Sequence, residues 1–160
     1  MLSVQLGLIV LGTLTLHSSL ISSFVSSAVL LESVSGFEAM ASDLSKKGAK
    51  AHAPASIVGK SGVKHEFAFA LMPDSTKAKV VVDTELSVKD VDEMKVLKFY
   101  VKVFDVDSEK AILCVSPRLN ERAANLAKEY GISVLEDDVP KKLIAKAAQA
   151  VKEIMSTGAK

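Results

Sequence analysis

Tryptophan is absent from this chain of 160 residues, cysteine occurs once, and residues 1–31 contain no Asp, Glu, Lys or Arg. Each shortage excludes something. A lone Cys114 forbids an intramolecular disulfide, and its place in the apolar run Ala111-Ile-Leu-Cys-Val-Ser116 reads as a small buried hydrophobe rather than a catalytic thiol. Without Trp, and with no cluster of other rings, the sequence offers no stacking platform for single-stranded nucleic acid. A formal net charge of +1 excludes both a histone-like binder and an acidic tail protein, so attraction to a polyanion has to come from a local patch. Side-chain amides are confined to Gln5, Asn120, Asn125 and Gln149 beside many Lys and Glu, a composition that leans toward a thermophile. The length suits one domain of roughly 100–150 residues plus an appendage.

The appendage is residues 1–35. Its uncharged stretch 4–31 exceeds the roughly 20 residues a helix needs to cross a bilayer, which makes it a candidate membrane anchor. His17 and nine Ser or Thr residues within 1–31 argue the other way. From His17 to Leu31, pairs of Ser alternate with pairs of apolar residues every four positions, a helical period with a small-residue stripe. Such a stripe suits close helix packing in a membrane, and equally a helix that joins copies of the chain into a homo-oligomer. A secretory signal cleaved near Ser26-Ser-Ala28 is the third reading, although no positive charge precedes the apolar run.

From Ser35 onward the punctuation is that of a globular domain. Phe37, Met40, Ala41 and Leu44 repeat at helical spacing between Ser35 as N-cap and Gly48 as stop. Strands are expected at 51–58, 63–72 and 79–86, with Gly59-Lys-Ser-Gly62 and Pro73-Asp-Ser-Thr76 as turns of an antiparallel meander. Ser87 and Asp90 resemble a capping box, and Val91, Met94, Leu97 or Lys98, Val101 and Phe104 mark the expected buried face of the next helix. A buried strand at 111–116, a helix from Pro117 to Tyr130 and a short strand at 132–135 imply parallel crossovers. A last amphipathic helix begins near Asp138 and Pro140, with Leu143, Ile144, Ala147, Val151 and Ile154 on one side. The expected order is α-β-β-β-α-β-α-β-α, an α/β fold with a mixed sheet.

That order, together with Gly36-Phe-Glu38 and the passage from Ala111-Ile-Leu-Cys-Val-Ser-Pro117 to Leu126-Ala-Lys-Glu-Tyr-Gly-Ile132, resembles the restriction-endonuclease-like, or PD-(D/E)XK, superfamily. It looks closest to the small archaeal and Mrr-like branches. The resemblance covers residues 36–138 and leaves 139–160 as a C-terminal helix. It implies a Mg²⁺-dependent DNA endonuclease whose acids hold the metal while a lysine assists the attacking water. The family places an Asp on the second strand and Asp-x-Lys or Glu-x-Lys on the third, where residues two apart share a face.

Here the third strand carries Asp83-Thr84-Glu85, with Glu where the lysine belongs. Hairpin pairing is expected to set Ala70 opposite Asp83 and Ala68 near Glu85, and neither alanine can bind metal. Replacement ligands would be Glu66, or Asp74 in the sequence Pro73-Asp74, whose composition is also that of a turn. The expectation is therefore a degenerate nuclease-like domain serving as a nucleic-acid-binding or assembly module. The alternatives are an active enzyme with Asp83 and Glu85 as catalytic residues and Glu66, Asp74, Asp83 and Glu85 as metal ligands, or a membrane-tethered or oligomeric structural protein.

Three further features bear on partners. Gly59-Lys60-Ser61 imitates a phosphate loop, but a strand follows it and the earlier glycine position is Pro54, so no nucleotide cofactor is expected. His52 and His65 lack neighbouring ligands at metal spacing. Between residues 45 and 82, seven Lys face only Glu66 and Asp74, a local balance of +5. Lys60, Lys64, Lys77 and Lys79, with Arg118 and Arg122 further on, are thus the candidate contacts to a DNA backbone.

Overall fold

Three consecutive valines, Val80, Val81 and Val82, are each 0% exposed, which marks the strand β5 (Val80–Leu86) as covered on both faces. In the computed structural model the described residues are 34–73 and 77–157. The readings made for residues 4–31 and for Asp74 lie outside the described residues. No helix among the described residues is long and apolar enough to cross a membrane.

The fold is a mixed α/β arrangement. A helix α1 over residues 34–46 leads into β1 (Ala51–His52), β2 (Ala55–Val58), β3 (Lys64–Phe67) and β4 (Phe69–Leu71). After β5 come α2 (Glu93–Val106), β6 (Lys110–Ser116), α3 (Glu121–Glu129), β7 (Ser133–Glu136) and α4 (Pro140–Thr157). Five strands form one mixed sheet in the order β1-β4-β5-β6-β7, and β2 and β3 form a separate hairpin. β4 runs antiparallel to β5, whereas β5, β6 and β7 are parallel.

Helices cover both faces. On one, Val81, Leu113 and Val115 pack with Val96, Phe99 and Val106 of α2 and with Ala123 and Ala127 of α3. On the other, Val80, Val82, Ile112 and Cys114 pack with Phe37, Met40, Ala41 and Leu44 of α1 and with Leu143, Ala147 and Val151 of α4. α1 and α4 meet closely at Gly36, where a Cβ would lie 2.7 Å from Ile144 Cδ1.

Three expectations are corrected by this geometry. The strands foreseen at 51–58 and 63–72 are each broken in two, at Ala53-Pro54 and at Ala68. Ala51 buries itself on the α1 side but Ala55 and Ile57 on the α2 side, and likewise Phe69 and Phe67 lie in opposite clusters. Proline has no N–H for a ladder, and one unpaired residue bends a strand, so the outer half of the hairpin folds over α2. The caps also move. Ser35 lies within α1, while α2 is capped by Asp92, which accepts from Met94 N at 3.1 Å and Lys95 N at 3.3 Å, rather than by Ser87. Most consequentially, α2 buries Val96, Phe99 and Val106, and the stripe Met94, Leu97, Val101 and Phe104 is exposed.

The folded-over hairpin is tied to α2 through Asp105. Its carboxylate accepts from Ser61 N at 2.9 Å and Ser61 Oγ at 2.6 Å and lies 2.6 Å from His65 Nε2, and its carbonyl accepts from Lys60 N at 2.8 Å. A Cβ on Gly59 would lie 1.9 Å from Asp105 Oδ2, so glycine alone allows this approach. Hydrogen bonds from Ser61 and then from His65 hold the Asp105 carboxyl at about 2, against an ordinary value of 3.8. The group is depressed in the folded state, so its stabilising contribution is complete above pH 3.8 and is lost as the pH falls through about 2.

Two predictions follow from the fold. Asp105→Asn lowers the melting temperature at neutral pH, and the gap to the parent protein narrows as thermal scans are taken from pH 4 down to pH 2. Leu113 of β6 is fully buried on the sheet face that packs against α2 and α3, and Leu113→Ala should cost about 3 kcal/mol in urea unfolding.

Candidate functional site

Asp83, Thr84 and Glu85 occupy the second half of β5, where burial relaxes from the fully buried valines to partial exposure. Alternation along a strand puts Asp83 and Glu85 on the face of Val81, toward α2. On α2, Lys95 and Lys102 stand seven residues apart, about two turns, and so on one side of the helix. The helix runs back against the strand, so the later acid meets the earlier lysine. Lys102 Nζ donates to Asp83 Oδ2, and Lys95 Nζ donates to Glu85 Oε2 at 2.8 Å.

The two pairs differ in setting. Asp83 and Lys102 are 24% and 26% exposed, and the Lys102 ammonium also lies 4.5 Å from the centre of the Phe67 ring, a cation–π contact from β3. Phe67 in turn meets Phe99 edge to face at 6.5 Å, which ties the pair into the core. The other oxygen of Asp83 accepts from Thr84 N at 3.1 Å. Glu85 and Lys95 are more open, and the bond to Glu85 raises the Lys95 ammonium above its ordinary value. Behind the strand, burial pushes the Cys114 thiol up to about 12, reinforced by the charge of Asp83, so it stays protonated and unreactive.

The remaining candidates lie apart from this pair. The observed ladder sets Ala70 opposite Val81 and Phe69 opposite Val82, in place of the expected Ala70 opposite Asp83. The pairing of Phe69–Leu71 with Val80–Val82 moves the register by two from that expectation. The ladder ends with Phe69 opposite Val82, so β4 sets no residue opposite Asp83, and Ala68 packs in the α1 and α4 cluster on the other face. Glu66 stands on the exposed edge of β3 and pairs with Lys64 at 3.6 Å. Among the described residues no three His, Cys, Asp or Glu side chains gather as metal ligands, and both strand carboxylates are bonded to ammonium groups. That donor set does not fit Mg²⁺, which takes several oxygen ligands.

The basic candidates are mostly matched by acids. Lys60 and Lys77 approach Asp107 at 3.3 and 3.9 Å, Arg118 holds Asp90 at 3.2 Å and Arg122 lies 4.0 Å from Glu93. Lys79 instead lines a cavity of about 270 Å³ with Lys50, Leu71 and Met155. In the loop Gly59-Lys60-Ser61 the Lys60 and Ser61 amides and the Ser61 hydroxyl donate to Asp105 while the Gly59 amide donates to Val63 O, and His65 is bonded to the Asp105 carboxylate. Lys95 and Lys102 escaped sequence reading because they sit on another element; their spacing of seven, matched to acids two apart on a strand, was the available signal.

No protein-family model and no curated protein matches the chain. Among solved structures the chain is similar to the crystal structure of AF1548, a protein of unknown function, at 12% identity and a TM-score of 0.52. The likeness covers 72% of this chain and 65% of that one, so the chain spans less than two thirds of that protein's length. At this identity the similarity concerns the fold alone.

The pairing itself is measurable. A double-mutant cycle of Asp83→Asn and Lys102→Met in urea unfolding should give a coupling of about 1–2 kcal/mol, because each single change leaves a partly buried polar group without its partner. A coupling near zero would mean that water satisfies each group separately.

Proposed function

We propose that the chain is a restriction-endonuclease-like domain without nuclease activity, working as an assembly module. The observation that carries the reading is the closure of Asp83 and Glu85 by Lys102 and Lys95. Two carboxylates on one strand face would repel each other and attract a cation; here two ammonium groups from α2 meet that need as part of the packing. The element order and the antiparallel-to-parallel mixed sheet support the superfamily assignment. Assembly is favoured over nucleic-acid binding because five of the six basic candidates, all except Lys79, have an acidic partner within 4.0 Å, which weakens the field a phosphate backbone would meet.

A metal-dependent deoxyribonuclease is the second reading. It is favoured by the shared face of Asp83 and Glu85 and by the Lys102 ammonium, which sits beside the acid as the missing strand lysine would. It requires both lysines to release their carboxylates to Mg²⁺.

One assay separates the two. Supercoiled plasmid incubated with the full chain and Mg²⁺ or Mn²⁺ should remain intact, and calorimetric titration with either metal should show no binding that Asp83→Ala removes. Metal-dependent cleavage that disappears in Asp83→Ala would establish the nuclease instead.

A further inference from the structure

α2 has a second apolar face that its own fold leaves open. Met94, Leu97, Val101 and Phe104 are 54%, 36%, 55% and 70% exposed. Isolated exposed hydrophobics are ordinary on a protein surface. These four are not isolated, because steps of three, four and three residues align them as the seam along which one helix packs against another.

The flanks of the seam are fixed. On one side Tyr100 stacks on Tyr130 at 4.0 Å and leans on Phe104 at 6.1 Å, so the neighbouring α3 supports that border. On the other, Asp105 is held by Ser61 and His65 of the hairpin. A rigid ridge of this kind docks without ordering new side chains, which removes part of the usual cost of association.

Charge selects the occupant. Glu93 precedes the first seam residue and Lys98 follows the second, on opposite borders. Lys98 is exposed and has no ion pair among the described residues, while Glu93 has only Arg122 at 4.0 Å and a long bond from Asn120 at 3.5 Å. When two identical helices pack in parallel, the residue before the first seam position of one helix faces the residue after the second on its neighbour. Glu93 of each copy then meets Lys98 of the other, twice in a symmetric pair. An antiparallel pair would set Glu93 against Tyr100 and Lys98 against Asp105, whose carboxylate is already engaged.

We infer that the chain forms a two-fold dimer in which α2 packs in parallel on α2 of a second copy through Met94, Leu97, Val101 and Phe104. The inference rests on the assembly reading and gives it a surface and a symmetry. Sedimentation velocity of the full chain should show a dimer, and Leu97→Asp and Phe104→Asp, each with an unchanged circular dichroism spectrum, should weaken it at least about thirty-fold. Glu93→Lys alone should weaken the dimer, and Glu93→Lys combined with Lys98→Glu should restore it. These surface charges lie outside the core, so the swap decides the matter even if an apolar substitution disturbs folding. A monomeric parent overturns both the inference and the assembly reading. A dimer indifferent to Leu97→Asp and Phe104→Asp overturns the seam alone, and failure of the double swap to restore dimers overturns the parallel arrangement. Cleavage of plasmid by the parent chain would overturn the non-catalytic reading whatever the mass.

Discussion

The rotation of α2 about its own axis is the constraint on which the rest of this molecule depends. The helix is apolar on two opposite sides, one carrying Val96, Phe99, Val103 and Val106, the other Met94, Leu97, Val101 and Phe104. Hydrophobic burial alone would accept either face against the sheet, since the two stripes are of similar size. Polar groups break the tie. Lys95 and Lys102 stand at the border of the first stripe, and only with that stripe inward do they reach Glu85 and Asp83. Turning the second stripe inward would leave two partly buried carboxylates beside each other without a cation, an expensive arrangement. The ion pairs thus act less as a source of net stability than as a selector among packings.

Everything on that side of the sheet follows from the choice. With Val96 and Phe99 inward, Phe67 finds Phe99 and covers Lys102, which draws the hairpin of β2 and β3 over the helix. Asp105 is then positioned to bind the hairpin turn, and Tyr100 to stack on Tyr130. The same rotation sends Leu97 and Phe104 to the surface. The docking seam and the closed acid pair are therefore two consequences of one packing decision.

How much of this was legible in the sequence depends on the range of the interaction concerned. The three valines of β5, the run at 111–116 and the apolar face of α4 declare themselves through local period and composition, and the α/β class with a mixed sheet read from them agrees with the structure. The α2 face was misread for a physical reason: both stripes have helical period, and the tie is broken by residues on β5 that a window along α2 does not contain. Likewise Asp83 and Glu85 are visible as acids sharing a strand face, but their lysines belong to an element ten and more residues away. The split of the strands at Pro54 was signalled by the proline itself, whereas the matching break at Ala68 has no distinctive residue and is set by the need to follow its neighbour.

The placement of glutamate at position 85 gains meaning in this light. A lysine there, as in nucleases of the resembled superfamily, would face Lys95 across the gap between strand and helix, and two ammonium groups would compete for Asp83. With Glu85 in place, each acid has one cation and each cation one acid, so the cluster of four charges sums to zero within the packed layer. A metal ion entering between Asp83 and Glu85 would have to displace both ammonium groups, Lys102 held against the Phe67 ring and the more open Lys95. The carboxylates could serve as ligands only after both ammonium groups had swung away, and each departure would give up an ion pair and, for Lys102, the contact with Phe67 as well.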